Sequence, residues 1–232
     1  MSFNDWLDKI FPGRQAPEKI VAGDYTHIEF ILDASGSMAI LKGFVVESFN
    51  GFIQEQKKLP GNVSFSLVTF EGGDARNTKY AFQDLKDVKE LTALDYQLGG
   101  STPLFDAIGL SIDDLKKQFA RLDAHKRPSK VVIAIMTDGD ENSSNRYTKQ
   151  QVMSMIEDQK RLDWQIVFLS SDLSALKTAE SAGIRSQSMS GYAASQAGVA
   201  NAFNNLSRGI GTYRGASSAS SHINLKKESD GD

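Results

Sequence analysis

The sequence predicts an α/β fold, a doubly wound and mostly parallel central sheet with helices on both faces, on three observations. Short apolar runs rich in β-branched residues recur along the 232 residues. Longer stretches between them carry apolar residues at i, i+3 and i+4, the stripe of a helix that covers a sheet. Strand and helix patterns alternate, and alternation of this kind builds βαβ units whose parallel strands are buried from both sides.

The first strand is expected over Ile28 to Leu32, followed by a helix from Ile40 to Leu59 with Leu41, Phe44, Val45, Phe49, Phe52 and Ile53 on one face. Val63 to Phe70 reads as the second strand. The run Glu71-Gly72-Gly73-Asp74 then reads as a hairpin leading into a short antiparallel edge strand over Thr78 to Leu85. A helix from Pro103 to Leu122 follows, with Pro103 suited to the first helical position and Thr102 to the cap. Val131 to Met136 and Ile166 to Leu169 complete the strong strands, with a weaker one near Ile184; helices are expected over Lys149 to Arg161, Leu173 to Ala182 and Ser195 to Tyr213. No internal repeat is visible.

These elements form one domain over residues 25–214. Residues 1–24 precede it as an amphipathic helix, carrying Phe3, Trp6, Leu7, Ile10 and Phe11 on one face, stopped by Pro12-Gly13 and joined by a polar link. The helix is expected to pack on its own domain, with docking into a partner's groove as the alternative. Residues 215–232 are Ser-rich, then rich in Lys, Glu and Asp, which predicts a flexible polar tail.

Composition removes several function classes. Apolar residues at 40% and charged residues at 24% match average soluble usage. A net charge of −3 and a pI of 5.7 speak against nucleic-acid binding, which needs a basic face. Cysteine is absent, so disulfides, thiolate metal sites and a cysteine nucleophile are excluded. The histidines, His27, His125 and His222, fall in separate elements, so a metal site would use oxygen ligands. No stretch approaches the roughly 18 apolar residues of a spanning helix, and the first residues lack a cationic start and apolar run. The expectation is a cytoplasmic protein without a membrane contact.

Three loops carry the chemistry. The strand Ile28 to Leu32 runs into Asp33-Ala34-Ser35-Gly36-Ser37, which sets three oxygen side chains at i, i+2 and i+4 on the sheet edge where open α/β sheets bind ligands. Gly36 permits the close backbone turn that would aim Asp33, Ser35 and Ser37 at one point, and a hard cation suits such a point. Gly99-Gly100-Ser101-Thr102-Pro103 brings Thr102 before a helix, and the strand Val131 to Met136 ends in Thr137-Asp138-Gly139. Asp138 therefore leaves its strand much as Asp33 does. Asp140 and Glu141 add acidity; they read as a solvated loop, with an auxiliary cation site or a repulsive gate as alternatives.

Together, D-x-S-x-S, a Thr in a Gly-Ser-Thr-Pro loop and an Asp in a strand-ending T-D-G resemble the metal-ion-dependent adhesion site of von Willebrand factor type A domains, over roughly residues 25–213. The resemblance implies a Rossmann-like sheet with one antiparallel edge strand. It implies a divalent cation, Mg²⁺ or Mn²⁺ with Ca²⁺ as a further option, held directly by Ser35 and Ser37, directly or through water by Asp33 and Asp138, and by Thr102 according to conformational state. It also implies a protein partner whose Asp or Glu completes the metal shell, with no catalysis. Self-association is a variant of this, with Glu228, Asp230 or Asp232 of the tail reaching a neighbour's metal.

Rival functions lack parts. An aspartyl-phosphate phosphatase needs a second acid two residues past its nucleophile, where Ser35 stands. A serine hydrolase needs a G-x-S-x-G elbow and a histidine base, and Ser35 has neither. Gly209 to Gly215 ends a helix, unlike a dinucleotide-binding loop, and no G-x-x-x-x-G-K-[ST] occurs. The remaining rival is an assembly subunit in which the metal only stabilises the fold.

Overall fold

The computed structural model describes residues 25–217 and 221–226. Among them a six-stranded sheet runs in the order β3-β2-β1-β4-β5-β6. The strands are β1 (Tyr25–Asp33), β2 (Asn62–Glu71), β3 (Asp74–Asp84), β4 (Lys130–Thr137), β5 (Gln165–Ser170) and β6 (Met189–Gly191). All neighbours pair in parallel except β3, which returns antiparallel to β2 through the expected hairpin. Five α-helices cover it: α1 (Lys42–Lys58), α2 (Leu104–Ala120), α3 (Lys149–Arg161), α4 (Leu173–Ser181) and α5 (Gln196–Gly215).

The alternation of side chains on β1 divides the core. Phe30 and Leu32 meet α1 and α5, where the Phe30 ring stacks on Phe203 at 5.8 Å and meets Phe49 edge-on at 5.6 Å. Ile31, with Ile133 and Ile135 of β4, faces α2, α3 and α4. β1 and β4 are buried along their whole length, as a parallel sheet covered on both sides requires.

Several elements differ from expectation. The last strand lies at Met189–Gly191, while Ile184 is buried in the turn that follows α4 at Gly183, whose φ of +86° only glycine adopts without strain. β1 also carries a charge inside the core: Glu29 is fully buried, 3.6 Å from Arg76 of β3, which reaches on to Asp114 of α2 at 3.0 Å. β3 itself is polar and its pairing with β2 slips register three times, between Phe65 and Leu67, Leu67 and Val68, and Thr69 and Glu71.

The expectation of a flexible tail from Gly215 is corrected over 221–226. This segment buries Ile223 and Leu225 completely or nearly so, at 0% and 1% exposure. Leu225 N–H donates to the Gln187 carbonyl at 2.8 Å, and Ser188 Oγ donates to the Ile223 carbonyl at 2.9 Å, so the segment lies along the chain entering β6. Composition hid this because two apolar residues suffice to hold a short strap when the helix beneath is thinned at Gly209. A Cβ there would stand 3.0 Å from Ile223 and 3.2 Å from Asn224 O and Leu225. Gly209→Ala is therefore expected to destabilise by about 1 kcal/mol in urea unfolding, although alanine in an open helix interior stabilises by about that amount; a gain would show that the strap does not press on α5. The amphipathic segment 1–24 and the acidic residues Glu228, Asp230 and Asp232 lie outside the described residues.

Candidate functional site

The order of the sheet places its switch point between β1 and β4, whose connections leave in opposite directions and open a crevice beyond their carboxyl ends. Asp33 closes β1 and Asp138 follows β4, so the crevice is flanked by two carboxylates. After Asp33 the chain enters a short 3₁₀ turn, Gly36–Ile40, which holds Ser35 at its start and Ser37 within it. Gly36 is needed for proximity: its N–H donates to Gly100 O at 3.0 Å, and a Cβ would crowd Gly99 O at 3.2 Å.

Four of the five sequence-expected residues form one chain of contacts. Ser35 N–H donates to Asp33 Oδ1 at 2.7 Å, Ser35 Oγ and Ser37 Oγ are 3.1 Å apart, and Ser37 Oγ donates to Asp138 Oδ1 at 2.7 Å. Thr102 stands beside them without joining the chain. Its hydroxyl lies 4.0 Å from where a Gly139 Cβ would be, and its backbone is pinned to the third loop, Thr102 N–H to Asn142 Oδ1 at 2.7 Å and Asn142 N–H to Thr102 O at 3.2 Å. The cap role expected of Thr102 is not observed. The cap position of α2 is Pro103, and its free amides are taken from across the crevice, Phe105 N–H by Glu141 Oε2 at 2.8 Å and Asp106 N–H by Ser144 Oγ at 3.0 Å.

Asp140 and Glu141 are therefore not a merely solvated pair. Glu141 also accepts from Ser143 and Ser144 N–H, and Asp140 accepts from Ser174 Oγ at 2.7 Å. Asp106 in turn accepts the amides of Asn145, Arg146 and Tyr147 at 2.8–2.9 Å. These bonds fix the loop that carries Asp138 to the start of α2. Asp106→Asn, which converts one acceptor oxygen to a donor, is expected to cost about 1–3 kcal/mol of stability in urea unfolding; an unchanged midpoint would show that the loop is not held there.

Sequence reasoning missed the groups beneath the site. Thr137 Oγ1 donates to Asp33 Oδ2 at 2.5 Å, Tyr96 OH donates to the Asp33 carbonyl, and Tyr192 OH donates to the Thr137 carbonyl at 3.1 Å. Ser171 Oγ donates to the Asp138 carbonyl at 3.5 Å. Only Thr137 carried a local signal, its place in T-D-G. The two tyrosines are buried, which pushes both phenols above their ordinary range.

The electrostatics are those of carboxylates short of positive charge. Burial raises the pKa of Asp33, against the hydrogen bonds from Thr137 and Ser35, and Asp138 adds to the rise. Asp138 is likewise raised by burial, against the Ser37 hydrogen bond, with Asp172 adding to it. Among the described residues none of Asp33, Glu71, Asp138, Asp140, Glu141 and Asp172 forms an ion pair. Glu71, by contrast, is held below its ordinary range by the amides of Gly73 and Gly100, and so anchors the Gly99–Ser101 loop.

Among the described residues no three His, Cys, Asp or Glu side chains gather closely enough to hold a metal ion. The converging donors are instead two carboxylates and hydroxyls. Carboxylate and hydroxyl oxygens are the donor chemistry that a hard cation takes, and Ser35, Ser37 and Asp138 bring theirs together through hydrogen bonds of 3.1 and 2.7 Å. In donor type, though not in any gathered group of three acids or histidines among the described residues, the set is compatible with a hard divalent cation. No described helix is long and apolar enough to cross a membrane.

No family model and no curated protein matches the sequence. Solved structures do match in fold. The chain is similar to a von Willebrand factor type A protein from Catenulispora acidiphila, with a TM-score of 0.52 and 12% identity over 80% of this chain and 42% of that one. The pilus adhesin SpaC from Lactobacillus rhamnosus GG aligns with a TM-score of 0.59 and 14% identity, over 86% of this chain and 31% of the adhesin. Proximal thread matrix protein 1 from the mussel byssus, with a zinc-occupied adhesion-site motif, aligns with a TM-score of 0.52 and 15% identity, over 83% of this chain and 47% of that one. The chain spans less than half the length of each.

Proposed function

We propose, from a fold shared with von Willebrand factor type A domains, that this chain is a protein-interaction module that grips its partner through a divalent cation. Asp33, Ser35, Ser37, Thr102 and Asp138 would hold the ion, which would supply a Lewis-acidic position for an Asp or Glu of the partner. The observation that carries the reading is that two loops far apart in the chain place Asp33, Ser35, Ser37 and Asp138 in one run of contacts at the carboxyl edge of the sheet, an all-oxygen donor set. The zinc-occupied motif of the byssus protein supports a divalent ion in sites of this kind. Here the all-oxygen donor set favours Mg²⁺ or Mn²⁺.

The chain's own residues prepare the site. Thr137 and the Ser35 amide occupy both Asp33 oxygens, so Asp33 orients the serine loop and supplies charge from beneath. Ser37 bridges the first and third loops. We assign no catalytic role, because Ser35 occupies the position where phosphatase chemistry would need an acid.

Calorimetric titration of chelator-treated protein with Mg²⁺ and Mn²⁺ tests the proposal. One-site binding is expected, and cation at a hundredfold excess over Kd adds about 2.7 kcal/mol, a rise of about 5–10 °C in the thermal midpoint. Folded protein that takes up neither ion would overturn it. The effect should also depend on pH. The carboxyls of Asp33 and Asp138 are raised in the folded state, so their contribution to metal-free stability is complete below the ordinary Asp value and is lost as pH rises through the raised values. Cation binding favours the ionised form. The midpoint gained with Mg²⁺ should therefore grow as pH rises from about 4 to 7, and a gain that stays flat would place the ion elsewhere.

A further inference from the structure

The rim of the crevice specifies more than a lone carboxylate. Of the large aliphatic side chains left exposed among the described residues, two border the site: Ile40, 83% exposed, and Leu173, 75% exposed. Ile40 ends the same 3₁₀ turn that presents Ser37. Leu173 stands between Ser171, whose hydroxyl donates to the Asp138 carbonyl at 3.5 Å, and Ser174, whose hydroxyl donates to Asp140 at 2.7 Å. Ile40 leads into α1, which packs on one face of the sheet, and Leu173 opens α4, which packs on the other, so the two stand at the carboxyl edge on opposite sides of the sheet. Exposed aliphatic side chains paired across a polar site lose contact with water only when something apolar covers them.

Charge narrows the occupant further. The loops at this end of the sheet hold Asp33, Glu71, Asp138, Asp140, Glu141 and Asp172, none in an ion pair among the described residues. A divalent cation would balance Asp33 and Asp138, and the exposed Arg146 of the third loop offsets one of the four remaining carboxylates, which leaves an acidic excess. A second acid on the partner would meet Asp140 or Asp172, whereas a base would meet a complementary charge.

We propose that the rim selects a partner segment in which one Asp or Glu stands between aliphatic residues, with Lys or Arg outside them and no second acid. This rests on the cation reading above: the carboxylate goes to the ion, one aliphatic residue covers Ile40, another covers Leu173, and the bases face the acidic loops. Apolar contact at the two flanks supplies affinity, and the acidic ring rejects segments with several acids.

The test is to pan a random nonapeptide library with a fixed central Asp on the full chain in Mg²⁺ and elute with EDTA. Recovered peptides should be enriched in Leu, Ile or Val beside the Asp and in Lys or Arg beyond. The tightest of them should bind Ile40→Ser or Leu173→Ser about tenfold more weakly, with calorimetric Mg²⁺ affinity unchanged in both variants. Mg²⁺ binding without EDTA-eluted peptides, enrichment of acids in place of aliphatics, or unchanged peptide affinity in the variants would overturn the rim proposal and leave the cation site standing. Failure of the wild type to bind Mg²⁺ would overturn both.

Discussion

Asp138→Asn is expected to weaken Mg²⁺ binding by about 100-fold or more while raising the stability of the metal-free protein. The two effects come from one cause. Asp138 is held above its ordinary range by burial, so its ionised form is disfavoured in the folded state at neutral pH. It also adds to the rise at Asp33. Asparagine keeps the shape and can still accept from Ser37, but removes the charge that a cation needs and that the apo protein must tolerate. Calorimetric titration reads the first effect and chelator-treated thermal unfolding the second. A variant that loses the cation and also loses metal-free stability would show that Asp138 is a structural residue. The stability gain should be largest at neutral pH and vanish below about pH 4, where both carboxyls are protonated in the wild type.

Arg214→Ala is expected to cost about 3–5 kcal/mol, a large share of the 5–15 kcal/mol by which domains are stable. Its guanidinium is buried at the end of α5. Nη1 donates to Gln56 O at 2.8 Å and to Gln56 Oε1 at 2.9 Å, and Nη2 donates to Leu59 O at 3.3 Å and Pro60 O at 3.0 Å. Those acceptors lie where α1 ends and turns into β2. From the other side, Lys130 donates to Tyr213 O, Arg214 O and Ala216 O at 3.0, 2.8 and 2.6 Å, closing the C-terminus of α5. Losing the guanidinium leaves several buried acceptors bare. Lysine at 214 should rescue little, since one ammonium cannot span a fork of four oxygens. Urea unfolding measures both variants, and a loss below about 1 kcal/mol for Arg214→Ala would show that water replaces the side chain.

The helices and strong strands were legible in the sequence because their signals are local. Lys149–Arg161 is predicted and observed with the same bounds, since its capping box at Thr148 and Gln151 and its apolar stripe lie within one stretch. The loops ending β1 and β4 were legible for the same reason, each being an apolar run that stops at an acid. What stayed hidden depends on residues far apart in the chain. Thr137 and Asp33 are 104 positions apart, Tyr96 and Asp33 63, and Arg214 and Gln56 158. Thr102 offered a local cap that tertiary contact overrode, because Glu141 and Ser144 reach the α2 amides first. Glu29 broke an apolar run without ending it, since Arg76 arrives from the edge strand to meet it. The strap at 221–226 failed on composition, as Ser and Asn around Ile223 and Leu225 read as solvent-loving until the neighbouring chain takes up their backbone.

The two margins of the sheet carry a consequence for crowded solution. An unprotected outer strand offers a row of free amides and carbonyls on which another chain can grow a continuous sheet, the first step of fibrous aggregation. At one margin β3 is polar and slips its register three times, which spoils the even ladder that such growth copies. At the other the strap fastens over the chain entering β6. The register slips of β3 thus work against sheet-to-sheet growth at one margin, and at the other β6 is only three residues long, Met189–Gly191, a short template for a further strand.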